Sequence, residues 1–233
     1  SFRGHLGDDF IDGLGGGADR VSDIARYDIV LPGNVTAGTA VWVSLVAGRS
    51  AGGQGVDTLQ GIAHLHGSLD ATQGDTLIGS DAAGFILGHA GDDSIDGGGG
   101  GDTLHGGLGS DTLVGSSRSD ELDGGLGSDR LVGGADDDRY YVHEATDVIV
   151  EAGSGGALDW VHSWAADFTL PAHVEKLTLR GSGEINGTGN AQANDINGNS
   201  STNRLDGGDG ADLLVGWAGN DSLDGGVGGD ADT

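Results

Sequence analysis

Residues 79–141 read GSDAAGFIL GHAGDDSID GGGGGDTLH GGLGSDTLV GSSRSDELD GGLGSDRLV GGADDDRYY, one nine-residue unit repeated seven times without a gap. Each unit opens on glycine, at Gly79, Gly88, Gly97, Gly106, Gly115, Gly124 and Gly133. The sixth residue is aspartate at Asp93, Asp102, Asp111, Asp120, Asp129 and Asp138, and only Gly84 breaks that column. The eighth is always bulky: Ile86, Ile95, Leu104, Leu113, Leu122, Leu131 and Tyr140. This is G-G-x-G-x-D-x-U-x, with U a large apolar residue, and so short a period implies a solenoid in which each coil is stabilised by its neighbours.

A second array of five units opens at Gly189, Gly198, Gly207, Gly216 and Gly225, with Asn194, Asn203, Asp212, Asp221 and Asp230 sixth. An isolated copy at residues 52–60 carries Asp57, and Asp75 holds the same place one unit before the first array; looser copies stand at residues 4–12 and 14–22. The chain thus divides into partial repeats (1–22), irregular coils (23–78), a seven-unit roll (79–141), wider connecting coils (142–188) and a five-unit roll (189–233). It opens inside a repeat-like stretch, and its last unit puts Asp232 where an apolar residue belongs, so the expectation is a piece of a longer protein.

Fifty glycines against two prolines would ordinarily imply disorder, because glycine loses more backbone entropy on ordering than any other residue. The strict period argues for order under some condition. No cysteine is present, which removes disulfides and thiolate metal sites and leaves oxygen ligands. The formal net charge is -27 and Lys176 is the sole lysine, a balance that disfavours nucleic acid and anionic membranes and favours cations. No apolar run approaches the ~20 residues of a membrane span, and the opening Ser1-Phe2-Arg3 is not a signal peptide.

Within a unit, the first six residues are expected to turn and the last three to form a strand, two units completing one coil. Position eight then points inward, and positions seven and nine outward. Glycines permit positive φ and let carbonyls crowd together, while the sixth aspartate adds carboxylate oxygen; hard oxygen donors of this kind suit calcium. One buried apolar residue per nine returns less than ordering nine glycine-rich residues costs, and stacked aspartates repel one another. Cation binding is therefore expected to be coupled to folding.

On these residues the chain resembles the RTX family of bacterial secreted proteins. The resemblance implies an all-β, right-handed parallel β-roll, calcium as cofactor, and ions held between turns two units apart by carbonyls and paired sixth-position aspartates. Carried onto this chain, one edge pairs Asp93 with Asp111 and Asp111 with Asp129; the other pairs Asp102 with Asp120 and Asp120 with Asp138. Further candidates are Asp57, Asp75, Asp212, Asp221 and Asp230, with Gly97, Gly98, Gly100, Gly107, Gly109, Gly125, Gly127, Gly208 and Gly210 in the turns. Asp111 is expected to serve two ions and Asp230 at most one. Arg118 and Asp136 replace the fourth-position glycine, Gly84 offers no carboxylate, and Asn194 and Asn203 are neutral ligands that weaken the sites of Asp212 and Asp221. About 12 to 13 coils at ~4.8 Å each give a length of roughly 60 Å, with about five to eight ions at one per stacked pair of turns.

Residues 23–51 and 142–188 lose the period but keep β-like segments such as Val41-Trp42-Val43 and Asp147-Val148-Ile149-Val150. Tyr141, Trp160 and Trp164 are expected to pack there, the alternative being a ligand surface for a cell-surface or polysaccharide contact. Gly48-Arg49-Ser50-Ala51-Gly52 matches G-x-S-x-G, yet no helical pattern follows it, so it is read as a chance match. His64 and His66 share a strand face but are too few for zinc, and no H-E-x-x-H occurs. The expectation is a non-catalytic, calcium-dependent module, secreted through type I machinery to the exterior or cell surface. The alternatives are a surface-layer, adhesin or matrix element, or the accessory module of a secreted lipase, protease or polysaccharide-modifying enzyme; Thr188 and Asn190 alone fall short of an ice-binding ladder.

Overall fold

The computed structural model describes strand residues 20–21, 42–44 and 58–60, together with residues 64–67, 74–153 and 158–227. Every helix-free stretch of regular structure among them is a β-strand, and the strands pair in parallel. Leu104 pairs with Leu122 and Asp123 with His105 on one face, while Leu131 pairs with Leu113 on the other. Each step is 18 residues, so two nine-residue units complete one coil.

One sheet runs unbroken through eleven strands, from Arg20–Val21 to Leu213–Val215. The chain returns along a six-stranded sheet that ends at Val148–Val150 and then along a separate four-stranded sheet that begins at Asp167–Thr169. Among the described residues eleven strands stack in this sheet, and the irregular coils consume more chain than 18 residues: Trp42 pairs with His64 and Arg139 with Trp160. The connecting segment is not uniformly wide, since the next coil steps only from Trp160 to Lys176.

Strands in the first block are longer than the three residues expected. Thr103–Leu108, Thr112–Ser117, Glu121–Leu126 and Arg130–Ala135 each carry six, because the first three residues of the next unit continue the ladder, Gly125 beside Gly107 and Leu126 beside Leu108. A ladder needs only backbone N–H and C=O groups, which glycine supplies as well as any residue. In the second block Asp195–Asn197, Arg204–Asp206 and Leu213–Val215 keep three residues each.

The core is the eighth-position column. Ile86, Ile95, Leu104, Leu113, Leu122, Leu131 and Tyr140 are buried in the first block, Leu77 begins the column just before it, and Ile196, Leu205 and Leu214 continue it in the second. With a single apolar side chain per half-coil, the interior is too thin to leave any turn unaffected by its neighbours.

Candidate metal centres

The sixth-position aspartates Asp93, Asp102, Asp111, Asp120, Asp129, Asp138 and Asp212 each precede a strand and are buried, although a carboxylate is among the groups least tolerant of burial. The Oδ1 of each accepts the backbone N–H of the corresponding residue one coil earlier. On one edge Asp75 N–H donates to Asp93 (2.7 Å), Asp93 to Asp111 (2.7 Å) and Asp111 to Asp129 (2.9 Å). On the other, Gly84 N–H donates to Asp102 (2.6 Å), Asp102 to Asp120 (2.7 Å) and Asp120 to Asp138 (2.8 Å). The structure thus brings Asp93, Asp111 and Asp129 into one column and Asp102, Asp120 and Asp138 into the other. Gly84 still enters the ladder, through its amide.

Oδ2 has the opposite fate. In Asp93, Asp102, Asp111, Asp120, Asp129, Asp138, Asp159 and Asp212 it is buried without a hydrogen-bond partner. Burial pushes Asp93, Asp102 and Asp129 up to about 6, Asp111 and Asp120 to about 7 and Asp138 to about 8; the amide bond opposes the rise and nearby carboxylates add to it. A row of buried anionic oxygens, each stripped of water and without a donor, is the arrangement a cation repairs. Oδ1 of Asp111 accepts the Asp93 amide, so Oδ2 is its oxygen without a hydrogen-bond partner.

The glycines complete the cradle. The second and fourth positions lie in the left-handed region, at φ +118° for Gly107 and +133° for Gly109, and likewise for Gly98, Gly125, Gly127, Gly208 and Gly210. Arg118 and Asp136 adopt the same conformation at φ 73° and 72°, so the turn survives both departures at the cost of local strain. A Cβ on Gly109 would strike the carbonyl of Gly91, and one on Gly127 that of Gly109, so carbonyls line the space between coils. Gly100 is confined by contact rather than conformation: a Cβ there would meet the Ala82 carbonyl at 2.6 Å. At the first position, a Cβ on Gly97 would meet Asp102 Oδ2 at 2.6 Å. Carboxylate and carbonyl oxygens in a cradle with no room for a methyl group fit a hard cation such as calcium and give a soft metal no ligand.

Gly106→Ala tests that cradle, because its Cβ would collide with Asp111 Oδ2 and the Gly124 carbonyl. It is expected to cost about 1–3 kcal/mol and to raise the calcium needed for folding, whereas Gly183→Ala, with no atom within 4 Å, leaves the circular-dichroism midpoint unchanged. Equal midpoints would remove steric closeness as the reason for the first-position glycine.

The connecting coils extend the columns, Asp147 in the nine-residue register but in a unit without glycines, Asp159 and Glu175 outside that register. Asp129 N–H donates to Asp147, Asp138 N–H to Asp159 and Asp159 N–H to Glu175. Asp147 closes its edge, since its Oδ2 also accepts the amides of His143 and Glu144, both at 3.1 Å. The available signal was an acid immediately before each strand: Asp147-Val148, Asp159-Trp160 and Glu175-Lys176.

Where asparagine stands sixth, its side-chain amide makes hydrogen bonds of its own. Asn194 Nδ2 donates to the Val174 carbonyl and Asn203 Nδ2 to that of Ile185, while their Oδ1 atoms accept the amides of Asn190 and Asn199. Asp212 and Asp221 accept the amides of Asn194 and Asn203, at 2.8 and 2.9 Å. Asp57 and Asp230 lie outside the described residues, as does the stretch 48–52.

The aromatic side chains pack on one another along the outer face of the long sheet, Tyr141 stacked on His162 at 5.2 Å and His143 on Trp164 at 4.9 Å. Trp160 Nε1–H donates to Thr178 Oγ1, and the Arg139 guanidinium lies 5.5 Å from its ring. His66 meets the His89 ring at 5.5 Å; the side chain of its expected partner His64 lies outside the described residues.

A family model of the RTX calcium-binding nonapeptide repeat matches residues 78–113, 105–140, 114–149 and 197–231. The matched stretches take in all of the first block and run on through residue 149, and they take in most of the second block. No curated protein and no solved structure matches the chain at a significant level.

Proposed function

Since this chain is built on the RTX calcium-binding nonapeptide repeat, we propose that it is a module that folds as it takes up calcium, performs no catalysis itself, and serves a larger secreted protein. The observation that carries this reading is the row of buried, unpartnered Oδ2 atoms, running through both edges of the first block and reappearing at Asp212. Asp93, Asp102, Asp111, Asp120, Asp129, Asp138 and Asp212 would hold the ions, with the carbonyls of adjoining turns. Bound calcium would supply the positive charge that cancels the carboxylate columns. Such sites belong to the weak extracellular class, with dissociation constants of about 10⁻⁴ to 10⁻³ M. The chain then stays open where calcium is scarce and closes where it is millimolar, a behaviour that suits export in an unfolded state by type I machinery to the exterior or cell surface.

Equilibrium dialysis against calcium, paired with size-exclusion chromatography, tests the proposal. The expected result is about five to eight ions per chain, one per stacked pair of turns, and a marked fall in hydrodynamic radius on saturation. A chain that binds no calcium, or whose radius is the same in chelator, overturns it.

A further inference from the structure

Two departures from the repeat occur together where the first block meets the connecting coils. Position eight is apolar from Ile86 to Leu131 and then becomes Tyr140, which is fully buried. Val150 pairs with Val132, so the following residue, Glu151, stacks on Gly133 and puts a carboxylate where every unit of the block has glycine. The Tyr140 hydroxyl donates to Glu151 Oε1, which makes the two departures one chemical arrangement. A Cβ on Gly133 would collide with that hydroxyl, with Glu151 Oε1 and with Asp138 Oδ2, so all three groups aim at one place.

Asp159 aims there too. One oxygen each from Asp138, Glu151 and Asp159 lies within 4.8 Å of the other two. Asp138 and Asp159 are 2 % and 0 % exposed. Their Oδ1 atoms are engaged by the amides of Asp120 and Asp138, and their Oδ2 atoms are buried without a partner. Among the described residues no lysine, arginine or histidine forms an ion pair with any of the three. Three carboxylates this close, two of them with buried, unpartnered oxygens, repel strongly when ionised unless a cation lies between them.

We infer that Asp138, Glu151 and Asp159 form a three-carboxylate cation site at the seam between the repeat block and the connecting coils, where the Asp138 column of the block ends. The inference rests on the reading of the chain as a calcium-binding solenoid. The ligand is a hard divalent cation, calcium, and the donor set differs from that of the repeat turns: three carboxylates, one supplied by a residue outside the repeat pattern. Affinity of oxygen sites rises with the number of charged ligands, so this site fills before the turns that offer two. Its occupation ties the block to the first connecting coil across the long Arg139-to-Trp160 step.

The test uses the whole chain with Glu151→Gln and Asp159→Asn, whose amide oxygens still accept from the Tyr140 hydroxyl and the Asp138 amide. Calcium binding is measured by titration calorimetry and folding by circular dichroism. Each variant is expected to lose one ion, the tightest, and to keep the β spectrum at saturating calcium. If both retain the tightest ion and the full count, the seam site is wrong while the calcium-binding reading stands; if the unaltered chain binds no calcium, both fall. Terbium anomalous scattering from the unaltered chain at substoichiometric metal gives an answer independent of how the variants fold. The strongest peak is expected among the three carboxylates, and peaks only in the repeat turns overturn the inference.

Discussion

Stripped of metal at pH 8, the protein is expected to lose its β spectrum, and acidifying that same metal-free sample towards pH 5 is expected to bring part of it back. The buried aspartates bind protons more tightly in the coil than in an open chain, with values raised from 3.8 to about 6, 7 and 8 at Asp102, Asp111 and Asp138. For an acid whose folded pKa is raised, the folded state carries the extra proton, so stability falls as pH rises. The protonated coil is fully favoured below pH 3.8 and loses that contribution between about pH 4 and 8 as the columns ionise. At limiting calcium the sign reverses, because protons compete for the same oxygens and acid displaces the ion. Circular dichroism against pH, with chelator and with calcium near its midpoint, separates the two. Parallel curves would mean that the columns are not the groups that govern folding.

Asp111→Ala is expected to produce the largest shift of calcium midpoint among single aspartate replacements within the first block. It deletes an unpartnered oxygen and leaves the buried Asp93 amide without its 2.7 Å acceptor, in the middle of a column. An orphaned buried amide costs about 1–3 kcal/mol, and each ~1.4 kcal/mol is tenfold in a binding constant, so the midpoint should rise about tenfold or more. Asp111→Asn keeps an acceptor at Oδ1 and should shift it less. Asp221→Ala, at a half-exposed position near the end of the described chain, should shift it least. Tryptophan fluorescence titrations give the three midpoints. If Asp111→Ala and Asp221→Ala coincide, the aspartates act as independent ligands rather than as a column.

The coil was legible in the sequence because its determinants are strictly periodic. An eighth-position residue such as Leu104 must point inward, and two units must close a turn, so the stacking of Leu122 on Leu104 follows from spacing alone. The extent of the strands was not legible, since Gly106 and Gly107 read as turn by residue type, whereas the ladder uses their backbone groups. Nor was the division of labour within each carboxylate, because a bond from Asp93 N–H to Asp111 Oδ1 depends on which oxygen faces the preceding coil. Asp159 and Glu175 escaped a search by period because the loops before them vary in length while their position before a strand does not; Asp147 keeps the period, nine residues after Asp138, but its unit has lost the glycines that mark a repeat. Glu151 escaped for a different reason: it takes a place where the repeat has no side chain at all.

Among the described residues, one face of this molecule is a single sheet of eleven strands, and the other is two sheets with no ladder joining Val148–Val150 to Asp167–Thr169. In mechanical terms it is a beam with one continuous flange and one jointed flange. Flexure that stretches the continuous face must break a rung of the ladder, whereas flexure that stretches the other face opens at the joint first. The rod therefore yields in a preferred direction, and the splice, rather than either repeat block, decides where it bends.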